Sequence, residues 1–136
     1  MPKSTAFAQI KAGVIEITAN IPVGRVTTYG AIGEHLNVMP RHVAYILTML
    51  NIEEKLALPW YRVVADRGTI SLGKLTARHH AQIDYLQQEG IQITTKNQVE
   101  NFDELFCSPR QLVDWDRHEK YYLKDDLIQD DSESSD

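Results

Sequence analysis

A chain of 136 residues, 43% apolar and 24% charged, has room for one domain with a real core and little for a second. No apolar run approaches the ~20 residues that crossing a bilayer takes, and no signal-like apolar block follows residues 1–5. One cysteine, Cys107, forbids an internal disulfide, and neither it nor the five histidines show metal-ligand spacing, so a cytoplasmic chain without membrane, metal or cofactor is expected.

The net charge of -5 divides unevenly along the chain. Residues 1–99 hold ten Lys/Arg against seven Asp/Glu, whereas residues 100–136 hold four against twelve. A mildly basic body permits phosphate contact without demanding it.

Phe7, Ile10, Val14 and Ile17 fall at i, i+3, i+7 and i+10, which predicts a core-facing helix after a Ser4 or Thr5 cap. Ile21-Pro22-Val23-Gly24 predicts a turn. Thr28 can cap a helix from Tyr29 to Leu36, and after the break at Asn37-Val38-Met39 Pro40 suits the first turn of another. That second helix carries Val43, Ile46, Leu47 and Leu50 on one face, so the two read as a helix-turn-helix.

Beyond a polar stretch at residues 53–55 the period changes. Residues 62–65 and 69–72 flank Asp66-Arg67-Gly68 and predict a β-hairpin with glycine in the left-handed region. Residues 76–89 return to a helical pattern with Ala77, Ile83 and Leu86 apolar and Gly90 as its stop, and Ile91-Gln92-Ile93 alternates like a short strand. Ser108-Pro109 can open a helix carrying Leu112, Trp115 and Tyr122, and residues 129–136, nearly all acidic or serine, predict disorder. The chain thus divides into a body at 1–96 and an acidic extension at 97–136.

Three segments resemble, in order, the C-terminal domain of the O6-alkylguanine-DNA alkyltransferases. Ile21-Pro22-Val23-Gly24-Arg25-Val26-Thr27-Thr28-Tyr29-Gly30 is close to I-P-x-G-x-V-x-T-Y-G. Arg41-His42-Val43-Ala44 resembles R-x-V-[GA]. Leu58-Pro59-Trp60-Tyr61-Arg62-Val63-Val64 resembles I-P-C-H-R-V-V, and Leu86-Gln87-Gln88-Glu89-Gly90 resembles L-x-x-E-G. The resemblance spans about residues 6–93 and implies a mainly α fold with a small β-hairpin, a winged helix-turn-helix-like domain.

Trp60 stands where the family's cysteine attacks the alkyl carbon. A thiolate can do that chemistry, whereas indole offers an N–H donor and no nucleophile. Tyr61 replaces the family's histidine, and a phenol titrating near ~10 is a poor base at neutral pH. Tryptophan at this place resembles the alkyltransferase-like proteins. That likeness implies a non-enzymatic monomer that binds double-stranded DNA containing O6-alkylguanine, flips the base, and presents it to nucleotide excision repair proteins.

The same resemblance assigns Pro59, Trp60, Tyr61, Ser71 and Leu72 to the lesion pocket. It assigns Thr28, Tyr29, Pro40, Arg41 and Ala44 to DNA, with Arg41 as the finger that fills the gap in the stack; counted without a gap from Pro40, Ala44 takes that place instead. Arg62 and Glu89 support the site, and Asn51 lies near the family's hinge asparagine. Two other readings stand beside this one: a winged-helix regulator of undamaged sequence, and an alkyltransferase that uses Cys107.

Overall fold

A computed structural model describes residues 2–71 and 73–113, with side chains described from Ala6 onward. The first helix, α1 (Pro2–Ala19), starts ahead of the expected Ser4 or Thr5 cap. Its stripe meets the core only from Ile10, since Val14 and Ile17 are buried while Phe7 is 46% exposed. A turn at residues 21–24 follows, with Gly24 in the left-handed region at φ 81°.

The helix-turn-helix forms as the sequence predicts. Thr28 is extended (φ -121°), and its hydroxyl accepts the Ala31 N–H at 2.9 Å to cap α2 (Tyr29–Leu36). Asn37 ends that helix in the left-handed region (φ 63°), a conformation a short polar side chain tolerates. Pro40 opens α3 (Pro40–Thr48), which buries Val43, Ile46 and Leu47. The corner between the helices is tight because Gly33 is buried beneath residues 38–40, and a Cβ there would sit 2.6 Å from the Val38 carbonyl oxygen.

A short helix occupies the stretch expected to be merely polar. In α4 (Ile52–Ala57) the Asn51 side chain accepts the Glu54 N–H at 2.8 Å while Glu54 accepts the Asn51 N–H at 2.9 Å, a reciprocal capping box. Asn51 is therefore a helix cap in this chain. No α4 residue is buried, and Ile52 and Leu56 are 76% and 82% exposed.

The β component differs from the expected hairpin. Strands β1 (Thr27–Thr28) and β2 (Val63–Val64) pair in parallel, with Thr27 opposite Val63. Residues 65–69 do close a tight turn, with Arg67 (φ 61°) and Gly68 (φ 85°) both left-handed, but the chain leaving it pairs elsewhere: Ile70 N–H donates to the Asn97 carbonyl at 2.8 Å. Successive strand residues face opposite sides, so Val63 enters the core under the helix pair while Val64 enters a second cluster with Val26, Ile70, Leu86, Ile91 and Val99.

Thr76 caps α5 (Ala77–Gln88), and Gly90 follows it at φ 87°. Buried Gln82 ties α5 to the strand segment by donating to the Tyr61 carbonyl at 3.1 Å and the Val63 carbonyl at 2.9 Å. Residues 91–93 make only an isolated bridge, Ile93 to Val99, in place of the expected strand. Residues 97–113 then pack back on the body through α6 (Phe102–Leu105) and α7 (Pro109–Leu112). Val26 N–H donates to the Leu105 carbonyl (3.0 Å), Cys107 N–H donates to the Val26 carbonyl (2.8 Å), and Val99 and Cys107 are buried, so packing continues across 96/97. Trp115, Tyr122 and the acidic 129–136 segment lie outside the described residues.

One ion pair ties these parts together. Arg62 Nε lies 3.0 Å from both carboxylate oxygens of Glu89, Nη2 donates to Glu89 Oε2, and Nη1 donates to the Ile21 carbonyl at 2.7 Å. Glu89 also accepts the Gly24 N–H and the Tyr61 hydroxyl, each at 3.0 Å. Burial alone pushes the Glu89 carboxyl upward; the hydrogen bonds from Arg62, Gly24 and Tyr61 outweigh it and hold the group below its ordinary range.

Two outcomes follow for stability. Gly33→Ala should cost about 1–3 kcal/mol, read as a lower urea midpoint, because the added methyl meets backbone that cannot yield. Glu89 titrates lower folded than unfolded, so its contribution is complete above the ordinary carboxylate range and is lost as pH falls through the folded value. Glu89→Gln should be destabilised by roughly 3 kcal/mol at neutral pH and should lack that share of the acid loss in urea titrations carried down through the ordinary carboxylate range and below it.

Candidate nucleic-acid interface

Pro59 precedes a single 3₁₀ turn, Trp60–Arg62, and the Arg62 contacts to Ile21 and Glu89 anchor its far end. The turn sets Trp60 at the edge of the first core. The indole is 9% exposed and packs in the cluster that contains Ile32, Val43, Ile46 and Leu47 of the helix pair. It also lines an open cleft of about 320 Å³ together with Leu58, Pro59, Tyr61 and Tyr85. Trp60 is at once core and wall, continuous with the helix pair rather than remote from it. The volume lies at the small end of the ~300–1,000 Å³ typical of small-molecule sites.

Aromatic contacts fix the wall. Tyr61 and Tyr85 stack at 4.7 Å and 21°, and each meets Trp60 nearly edge-on, at 5.8 Å and 6.2 Å between centroids. The Arg78 guanidinium lies 4.6 Å from the Trp60 centroid. Burial, and then the hydrogen bond to the Glu89 carboxylate, push the Tyr61 phenol above its ordinary value. Tyr61 therefore donates to Glu89 at neutral pH and has no capacity to accept a proton there.

Pro59, Trp60 and Tyr61 meet at one cleft. Ser71 is not among its lining residues: the hydroxyl turns within its own loop, accepting the Gly73 N–H at 3.3 Å and lying 3.3 Å from the Gly73 carbonyl. Leu72 lies outside the described residues. The Thr28 hydroxyl is committed to capping, and Tyr29 is half-buried against the first core. Pro40 and Arg41 are exposed in the first turn of α3, Arg41 makes no hydrogen bond or ion pair among the described residues, and Ala44 is half-buried one turn later. Arg62 and Glu89 support the site through the ion pair already described.

Sequence reasoning missed four residues here. Arg78, Gln82 and Tyr85 stand at i, i+4 and i+7 of α5, one helical face, and that spacing was a usable signal that they reach the 60–63 segment together. Tyr45, 58% exposed, follows Arg41 by four residues on α3 and so shares its exposed face.

Comparison with known proteins places these features. Residues 9–91 match the family model described as 6-O-methylguanine DNA methyltransferase, DNA binding domain. Alkyltransferase-like protein 1 of Schizosaccharomyces pombe is 35% identical over 81 residues, covering 59% of this chain and 74% of that protein. The DNA base-flipping protein of Escherichia coli is 36% identical over 101 residues, 74% of each. The crystal structure of S. pombe Atl1 in complex with damaged DNA containing O6-carboxymethylguanine superposes with a TM-score of 0.62 at 29% identity, covering 75% of this chain and 97% of that one. With the helix-turn-helix, the Pro59-Trp60 turn and the Arg62–Glu89 support all in place, the chain belongs to the 6-O-methylguanine DNA methyltransferase DNA-binding-domain family, among its alkyltransferase-like members.

Proposed function

We propose that this chain is a cytoplasmic, non-enzymatic damage-recognition protein. It binds duplex DNA, flips O6-alkylguanine into the cleft at Trp60, and retains it without accepting the alkyl group. The observation that carries the reading is Trp60 itself, an indole in the wall of the cleft on the turn where the methyltransferases need a thiolate. Cys107, the chain's one cysteine, is buried against Val26 and is not among the cleft's lining residues. Relatives named as a base-flipping protein and as a protein bound to damaged DNA support the substrate class.

The energetics fit binding without chemistry. Flipping costs a few kcal/mol of stacking and pairing, less for a base whose pairing is already damaged, and an aromatic cleft returns part of that through the alkyl group. Arg41 is the element that fills the vacated stack: it is exposed on α3, makes no hydrogen bond or ion pair among the described residues, and is planar enough to lie between bases. Holding the lesion out of the helix marks it for nucleotide excision repair, the role this reading assigns to the complex.

Competition between an undamaged duplex and one carrying a single O6-methylguanine in the same flanks tests this directly. The lesion duplex is expected to win in unrelated flanking sequences, with the methyl group still on the DNA afterwards and no methyl mass gain on Cys107. Preference set by the flanks alone would indicate a reader of undamaged sequence, and a methylated Cys107 an enzyme. Arg41→Ala should weaken lesion binding by about tenfold or more while the urea midpoint stays within ~0.5 kcal/mol of wild type. Wild-type affinity in that variant would return the finger's role to another α3 residue.

A further inference from the structure

The acidity of this chain is gathered in one place. Residues 125–136 hold six Asp/Glu and no Lys/Arg, whereas residues 114–124 hold three of each. Through residue 113 the body has eleven Lys/Arg against ten Asp/Glu, so the net charge of -5 arises in residues 125–136. The body offers a face that suits such a segment. Helix α3 carries no carboxylate, and none occurs anywhere from residue 35 to residue 52. Arg41, Tyr45 and the C-cap Met49 follow one another at i, i+4 and i+8 in one row; Arg41 is exposed, and Tyr45 and Met49 are 58% and 61% exposed. The acidic segment is built to match, with Leu127-Ile128 set between Asp125-Asp126 and Asp130-Asp131. Its carboxylates suit the guanidinium, and its apolar pair suits the tyrosine and methionine. The exposed apolar pair on α4, Ile52 and Leu56, shares its helix with Glu53 and Glu54, which repel an acidic segment.

The segment also reaches. The described chain ends at Val113, which packs with Leu112 on the first core, the core that α3 covers. Helix α7 lies on α2 and α2 on α3, and packed helices sit ~8–10 Å apart, which puts the outer face of α3 about 25 Å from Val113. Residues 114–124 can span up to ~36 Å. We propose that residues 125–136 are an internal occupant of the exposed α3 face, which duplex DNA must displace. This rests on the reading that α3 faces DNA. Tethering gives the segment a roughly millimolar effective concentration, so a weak contact suffices. A binding-competent state that is only partly populated weakens the apparent affinity by the same factor for every duplex. The segment therefore limits how much DNA of any sequence the protein holds without altering its choice of lesion.

The test compares the whole chain with a full-length variant in which Asp125, Asp126, Asp130, Asp131, Glu133 and Asp136 are all replaced by their amides. Without DNA, NMR amide shifts of residues 39–49 are expected to differ between the two chains at low salt and to converge in about 0.5 M salt. Identical α3 shifts at low salt overturn the inference. With undamaged and O6-methylguanine duplexes of the same flanks, the amide variant should bind both about three- to tenfold more tightly at low salt, with the ratio between them unchanged. Unchanged affinity for both duplexes overturns the competition. In an Arg41→Ala background the gain should shrink; a gain of full size there overturns docking on α3 in favour of long-range repulsion between the segment and DNA. Failure of either chain to prefer O6-methylguanine over guanine sinks the lesion reading, whereas the shifts recorded without DNA test the contact independently of it.

Discussion

The Arg62–Glu89 pair is the constraint on which the site depends. Side chains left only 11% exposed place two charges largely out of water, a cost of several kcal/mol per ion unless every donor and acceptor is matched. Here the matching comes from three separate stretches: Ile21 and Gly24 from the first turn, Tyr61 and Arg62 from the 3₁₀ turn, and Glu89 from the end of α5. The electrostatics therefore hold only when all three are docked. Trp60, two residues from the arginine, inherits its position from that docking, and so does the distance between the indole and the helix that carries Arg78 and Tyr85.

The same network fixes where the proton shared between Tyr61 and Glu89 resides. A hydrogen bond passes a proton readily when its two ends have similar affinity for it. In this chain the ends are driven apart: the phenol of Tyr61 is pushed up and the carboxyl of Glu89 is held down, each partly by the other. The proton stays on tyrosine and the hydrogen bond acts as a fixed brace. With Arg62 also 5.4 Å from its ring centroid, Tyr61 is held in place within the aromatic wall.

How far the sequence disclosed the fold depends on how local each signal is. Thr28, Asn37 and Pro40 are caps and breaks that act on their own helices, so α2 and the start of α3 could be placed to the residue, whereas Leu50, read as part of α3, lies beyond its end at Thr48. The box formed by Asn51 and Glu54 was equally local, but Ile52 and Leu56 bury nothing, and without a burial stripe α4 passed for a polar stretch. The β pairing was hidden for the opposite reason. Two-residue strands are too short to alternate, and β2 takes its partner from 36 residues earlier, so residues 62–72 imitated a hairpin around a real left-handed turn. Of the site, the Pro59-Trp60-Tyr61 segment was plain, while Arg78 and Tyr85 reach Trp60 only because Gln82 locks α5 against the backbone of residues 61 and 63.

Because Trp60 serves both the first core and the cleft, the packing of one and the wall of the other share one side chain. Truncating a buried tryptophan to alanine costs about 3–5 kcal/mol, a large part of the ~5–15 kcal/mol that a domain of this kind has in hand. Loss of DNA binding in such a variant could not be assigned to the cleft. Residues that touch the indole without belonging to the core cluster are the ones that separate the two roles. Arg78 and Tyr85 are such residues: both come from α5, both rest on Trp60, and neither is buried with it. The chemistry of the cleft can therefore be altered from α5 while the packing that holds α3 on the first core is left in place.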